Sequence, residues 1–192
     1  MNIKNISLLL VVVLSSTVVS AQKYLSKKSP EITKEWKDYS FSSTKSIVEN
    51  IEDISEFNIF SETLKDKKLI ESLEKEEMIT TFIFIDDSFA KLDEKQRESV
   101  LGNKSLMASI VKFTTIPGRI DEHGLKTAVK KHNGTAYLTT LSGENIGVSE
   151  KNGRLYLVDS EGHTANIIDA NFYHKNGLFH IVDGVLFPSS KK

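Results

Sequence analysis

The side chains that could do chemistry in this sequence are few, and their spacing limits what each can do. Asp159, Glu161 and His163 alternate, which is a pattern that hard cations accept. A strand end or a turn at Gly162 produces the same letters, and no second cluster completes a coordination shell, so no metal site is assigned. His123 and His132 would join such a group only through a contact made by the fold. Glu74, Glu76 and Glu77 diverge as near-sequential carboxylates and read as a solvated face. Asp86 ends an apolar run ahead of a helical turn, where a carboxylate can accept backbone N–H groups and cap that turn. A catalytic role for it would need a partner that the sequence does not provide. His180 stands among Leu178, Phe179, Ile181 and Val182, so it reads as a hydrogen-bonded structural histidine and not a general base. Asp183 needs a partner for the same reason. There is no cysteine, which excludes thiol catalysis, thiolate metal sites and disulfides. Nor is there a Gly-x-Ser-x-Gly elbow, a phosphate loop or a His-Glu-x-x-His zinc motif. The chain therefore reads as non-enzymatic, with no catalytic residue, no metal and no cofactor.

The elements that must position these residues fall into two halves. Ile47, Ile51 and Ile54 repeat helically, and Ser55 is placed to cap a second helix carrying Phe57, Phe60 and Leu64. Leu69, Ile70 and Leu73 continue that pattern. Thr80 to Ile85 has the unbroken apolar character of a strand covered on both faces. Asp93 with Gln96 predicts a capped helix, and Leu106, Ile110 and Phe113 another. From Thr135 onward short strand-like runs follow at 135–141, 146–149, 154–158, 164–168 and 178–183. Ser142-Gly143, Asn152-Gly153, Glu161-Gly162 and Asn176-Gly177 separate them, and Asn152-Gly153 is a hairpin turn. Helices early and strands late indicate an α+β chain.

The chain has 192 residues, a formal net charge of -1 and 27% charged residues, as an ordinary globular domain does. With only Arg97, Arg119 and Arg154 as arginines, nucleic-acid readout is disfavoured. Residues 1–21 read as a signal peptide: Lys4, an apolar run from Ile6 to Leu14, and Val19-Ser20-Ala21 for cleavage. That run is too short for a comfortable membrane span. Residues 22–42 read as a polar linker with room for one short helix bearing Ile32, Trp36 and Tyr39. Residues 43–188 form the domain, and 189–192 a polar tail. Asn103-Lys104-Ser105 and Asn133-Gly134-Thr135 are glycosylation sequons.

Two stretches taken together resemble the fasciclin domain. Thr80, Phe82, Asp86 and Phe89 match the family's first motif, with Phe84 and Ile85 where proline and threonine are usual. Asn176, Gly177, His180, Val182, Asp183, Val185, Leu186 and Pro188 match the second, and Gly143 matches a middle hairpin glycine. The resemblance implies a wedge-shaped β-sandwich of two short sheets with flanking α-helices. It further implies a secreted, periplasmic or surface-attached adhesion and interaction module, whose partner is a cell-surface or matrix protein or glycan. The family's Tyr-His pair falls on Phe113-Thr114, and its Asp-Ile pair on Asn171-Phe172, so integrin binding is not implied. The alternative is an extracytoplasmic small-ligand or lipid-binding protein using a cleft between helices and sheet.

Overall fold

A computed structural model describes residues 30–189. The signal-peptide reading of 1–21 lies outside the described residues, as does nearly all of the polar tail.

The first described element corrects the sequence reading. Residues expected to hold a short helix form a β-hairpin, β1 (Thr33–Trp36) and β2 (Tyr39–Ser42). Trp36 and Tyr39 are cross-strand partners on either side of a two-residue turn in which Lys37 has φ 51°. Their three-residue spacing suits one helical turn and the flanks of a tight hairpin equally. The hairpin is part of the core. Phe41 is 1% exposed and meets Phe172 and Phe179 edge-on at 5.1 and 5.3 Å. Trp36 lies 5.3 Å from Phe57, so it packs on the domain. Lys34 Nζ reaches Asp169 at 2.6 Å and sits 4.2 Å above the Phe172 ring, latching β1 onto a later strand. The compact unit accordingly begins at Glu31, ahead of residue 43.

Helices follow with caps written into the sequence. Ser46 and Glu49 form a reciprocal capping box on α1 (Ile47–Ile51), satisfying backbone donors that would otherwise be orphaned. Ser55 opens only a short 3₁₀ turn, Ser55–Phe57, and makes no cap bond to α2 (Asn58–Thr63). Asp66 caps α3 (Lys67–Glu74), Asp93 caps α4 (Glu94–Leu101) by accepting from Gln96 N, and Asn103 caps α5 (Lys104–Phe113). The last helix, α6 (Glu122–Lys131), is capped by Asp121.

The remaining strands are β3 (Ile79–Phe84), β4 (Thr115–Pro117), β5 (Thr135–Thr139), β6 (Asn145–Lys151), β7 (Arg154–Val158), β8 (Thr164–His174) and β9 (Gly177–Val182). They make one seven-stranded sheet in the order β4-β3-β9-β8-β7-β6-β5. β3 and β9 pair in parallel at its interior, and every residue of both is buried. Burial on both faces is why neither strand keeps an apolar–polar alternation. The mixed α+β expectation holds at this level.

The two separate short sheets of the sandwich expectation are not what the strands build. Eleven-residue β8 pairs with β7 through Thr164–Asn166 and with β9 through Ile167–His174, with register shifts at 167–172 between. Bulges bend a strand and raise its twist, so β8 carries one sheet around a corner where two sheets were expected. Beyond β5, Leu141 N donates to Thr115 O of β4 at 2.8 Å, so the sheet curls almost to a barrel.

Candidate interaction surface

The motif residues converge on a buried frame. Thr80, fully buried, donates its hydroxyl to Gly118 O and accepts from Ile120 N, both at 2.9 Å. His180, also fully buried, bonds the same loop through Nε2 to Ile120 O at 3.0 Å. Asn171 N donates to His180 Nδ1 at 3.3 Å, so Nε2 carries the proton and donates. The ring stacks on Phe82 at 5.4 Å. Burial pushes its pKa down to about 4, only partly offset by the Ile120 carbonyl, so the imidazole is neutral. Both ring nitrogens are occupied, which suits a clamp on the 118–120 loop and leaves no lone pair for a general base.

The other motif positions are equally structural. At Gly177 (φ 142°) an added Cβ would lie 1.9 Å from Ile79 O, so the parallel partner approaches too closely for any side chain. Asn176 donates Nδ2 to Leu73 O at 3.3 Å, and its carbonyl accepts from Ile79 N at 3.0 Å. Asp183 accepts from Asn166 N at 2.9 Å and faces Lys91 at 3.4 Å. Burial acts to raise the Asp183 pKa, yet the Asn166 bonds and Lys91 hold it below the usual carboxylate range. Phe89, Val185 and Leu186 are buried, with Phe89 edge-on to Phe84 at 5.2 Å, and Pro188 is half-buried.

Asp86 does cap a helix, but not the turn that follows it. Its Oδ1 accepts from Ile59 N at 2.9 Å, at the start of α2, whereas the 3₁₀ turn Asp86–Lys91 has no side-chain cap. Burial raises its pKa, against the lowering effect of the Ile59 and Asn58 N–H groups.

Asp159 and His163 come together, though not as a ligand set. Asp159 Oδ1 accepts from Glu161 N and His163 N at 3.0 and 2.9 Å. Its Oδ2 faces His163 Nδ1 at 2.8 Å and accepts from Phe187 N at 3.0 Å. The carboxylate thus ties the tail to a turn, a role that the alternation of carboxylates and imidazole did not reveal. His123 and His132 stand exposed in and just after α6, with His132 Nδ1 held by Ala128 O at 2.9 Å.

Two outer surfaces remain. Across β5–β8 one row of cross-strand partners, Ala136, Val148, Leu157 and Ala165, faces the core and is buried. The neighbouring row, Tyr137, Gly147, Val158 and Thr164, faces outward by the pleat. Tyr137 is 69% exposed, the most exposed of the large apolar side chains among the described residues. A Cβ on Gly147 would meet Val158 Cγ1 at 2.6 Å and Tyr137 Cε1 at 3.4 Å, so the glycine seats both neighbours flat on the sheet. Half-buried Tyr156 lies in the next outward row with Thr135, Ser149 and Asn166. The sequence marks β5 as a strand without distinguishing Tyr137. The only local signal was an aromatic alternating with Ala136 and Leu138.

The second surface is an open groove of about 920 Å³ between α1–α2 and α4–α5. Val48, Ile59, Leu101 and Met107 give it apolar walls, and Glu52 and Asp53 stand at its lip.

The comparisons with known proteins agree with this architecture. The fasciclin domain matches residues 55–188. A cyanobacterial relative, Protein sll1483 of Synechocystis sp., is 28% identical over 174 residues, covering 90% of this chain and 87% of its own length. Human periostin is 25% identical over 145 residues, 76% of this chain but 16% of periostin, so the likeness is to one segment of a much longer protein. Among solved structures, a FAS1 domain pair from the insect cell adhesion molecule Fasciclin I matches with a TM-score of 0.61 at 14% identity. That match covers 82% of this chain and 67% of the other and shows a shared fold. With the family's motifs forming the internal frame and its domain spanning most of the sequence, this chain belongs to the fasciclin domain family.

Proposed function

We propose that this protein is a non-catalytic adhesion or interaction module, exported from the cytoplasm, that presents the outer face of β5–β7 to a cell-surface or matrix protein or glycan. The observation that carries the reading is Tyr137, a 69% exposed aromatic on the outer face of the sheet, in the outward row of Val158 and beside that of Tyr156. A tyrosine offers rigid contact area with a polar tip at low entropic cost and is enriched at interface hot spots. The motif residues support the reading by exclusion, because Thr80, His180 and Asp183 are committed to internal hydrogen bonds. A fold shared with an insect cell adhesion molecule and the signal-like residues 1–21 point the same way. No helix among the described residues is long and apolar enough to cross a membrane.

The test is capture of surface proteins, matrix proteins and a glycan array on immobilised mature protein, with Tyr137→Ala as the comparison. Binding lost in the variant at an unchanged melting temperature supports the assignment. Equal binding by both proteins moves the interface elsewhere, and no binding by either removes the adhesive reading. The alternative of a small-ligand or lipid-binding protein has one observation in its favour, the open groove beside α2. Native mass spectrometry showing a retained lipid would turn the reading toward it.

A further inference from the structure

The groove between α1–α2 and α4–α5 is separate from the sheet face around Tyr137. We propose that it binds a short, basic, amphipathic peptide segment of a partner protein. Three independent features of the groove carry this.

Its walls come first. Leu101 is 39% exposed there, and half-buried Val48 and Ile59 with buried Met107 complete an apolar surface that one leucine-sized side chain can cover. The groove is open along its length, so it suits an extended or helical segment passing through better than an enclosed small molecule.

A groove-lining hydroxyl comes second. Ser61 is 8% exposed and lines the groove, and its hydroxyl bonds no other described residue but is open to the groove, since it is not among their enclosed unpaired atoms. Water can reach it there, so a ligand that covers it must replace those bonds, and a serine hydroxyl can both donate and accept. A peptide amide laid over Ser61 offers both functions. A hydrocarbon chain offers neither and would leave the hydroxyl unsatisfied.

Charge comes third. Glu52 and Asp53 are exposed at the lip, and neither has an ion pair among the described residues. Glu62 is already paired with Lys65, while Asp66 spends one oxygen capping α3. Against this acidity stands Lys104 on the opposite wall. The whole chain carries a formal charge of -1, so the bias is local to the groove and selects a cationic partner.

The experiment measures binding of a fluorescein-labelled, end-capped hexapeptide of alternating lysine and leucine to the mature protein by fluorescence anisotropy. The comparison peptides replace lysine with glutamate or leucine with serine, and octylammonium serves as a non-peptide competitor. Saturable binding is expected for the lysine–leucine peptide alone. It should weaken about tenfold or more in Glu52→Lys/Asp53→Lys, as loss of two close charge contacts implies, and fall with added salt. Both substituted positions are exposed, so the double variant should melt like the parent. Ser61→Val, which keeps shape but not hydrogen bonding, should weaken binding without the salt dependence changing. Tyr137→Ala should leave binding intact, which separates this site from the adhesive face. Equal binding of the glutamate peptide, indifference to the lip variants, or competition by octylammonium as strong as by unlabelled peptide would overturn the proposal. So would no binding up to about 1 mM, the weakest range for a specific contact.

Discussion

Acidification should unfold this protein through its buried histidines before its carboxylates titrate. His174 and His180 are 5% and 0% exposed, and burial pushes both pKa values down to about 4 from an unfolded 6.5. Backbone carbonyls oppose that shift only in part. His174 Nδ1 accepts from Asn176 N, so the proton that charges the ring would have to displace that donor. A folded pKa below the unfolded one means that the unfolded chain binds more protons. The stability these groups contribute is therefore whole above pH 6.5 and is lost as pH falls toward 4. Linkage gives a loss of about 2 kcal/mol per histidine at pH 5, or about 4 kcal/mol for the pair. That is a large share of the roughly 5–15 kcal/mol holding a typical domain. Carboxylates with lowered pKa, such as Glu56 and Asp183, lose their contribution only at lower pH, and Asp86 with its raised pKa acts in the opposite sense. Between pH 6.5 and 5 the destabilising protonation is that of the histidines. Urea unfolding followed by the single tryptophan, Trp36, should show the midpoint falling by about 2 M between pH 7.5 and 5 for a slope of about 2 kcal/mol/M. His174→Gln and His180→Gln should each remove about half of the pH dependence, whatever they do to stability at pH 7.5. A midpoint flat across that range, or an undiminished dependence in the double variant, would refute the reasoning.

Other outcomes follow from single contacts. Gly177→Ala should cost more than about 4 kcal/mol, because its Cβ meets rigid backbone 1.9 Å away; a melting temperature near the parent's would contradict that. Thr80→Val keeps the shape but deletes two bonds to the 118–120 loop, and should cost about 2 kcal/mol with faster amide exchange at Ile120. Phe41→Ala should cost about 3–5 kcal/mol, and a chain cut to begin at residue 43 should fail to show a cooperative melt, since both remove Phe41 from Phe57, Phe172 and Phe179. Asp159→Ala removes the acceptor of three backbone N–H groups and should loosen Phe187, read as lost exchange protection there.

What the sequence determined by itself was whatever depends on near neighbours. Asn152-Gly153 specified its hairpin because both residues accept positive φ, found here at 52° and 78°. Asp93 marked the start of α4, and the unbroken apolar runs identified β3 and β9 as strands covered on both sides. His180 read as structural because an imidazole inside such a run must find partners. Only the tertiary structure decided which partners those were. Asp86 caps a helix 27 residues earlier, an acceptor choice no local pattern contains. Trp36 and Tyr39 fit a helix or a hairpin, and contacts of the hairpin with β8 chose between them. One bent strand, β8, turned two expected sheets into one. The two candidate surfaces were illegible for the same reason. Alternation shows that Tyr137 and Leu138 point to opposite sides of β5, but which side faces water depends on where the remaining chain packs. The groove likewise lies between helices distant in sequence, and only packing places Ser61 opposite Met107.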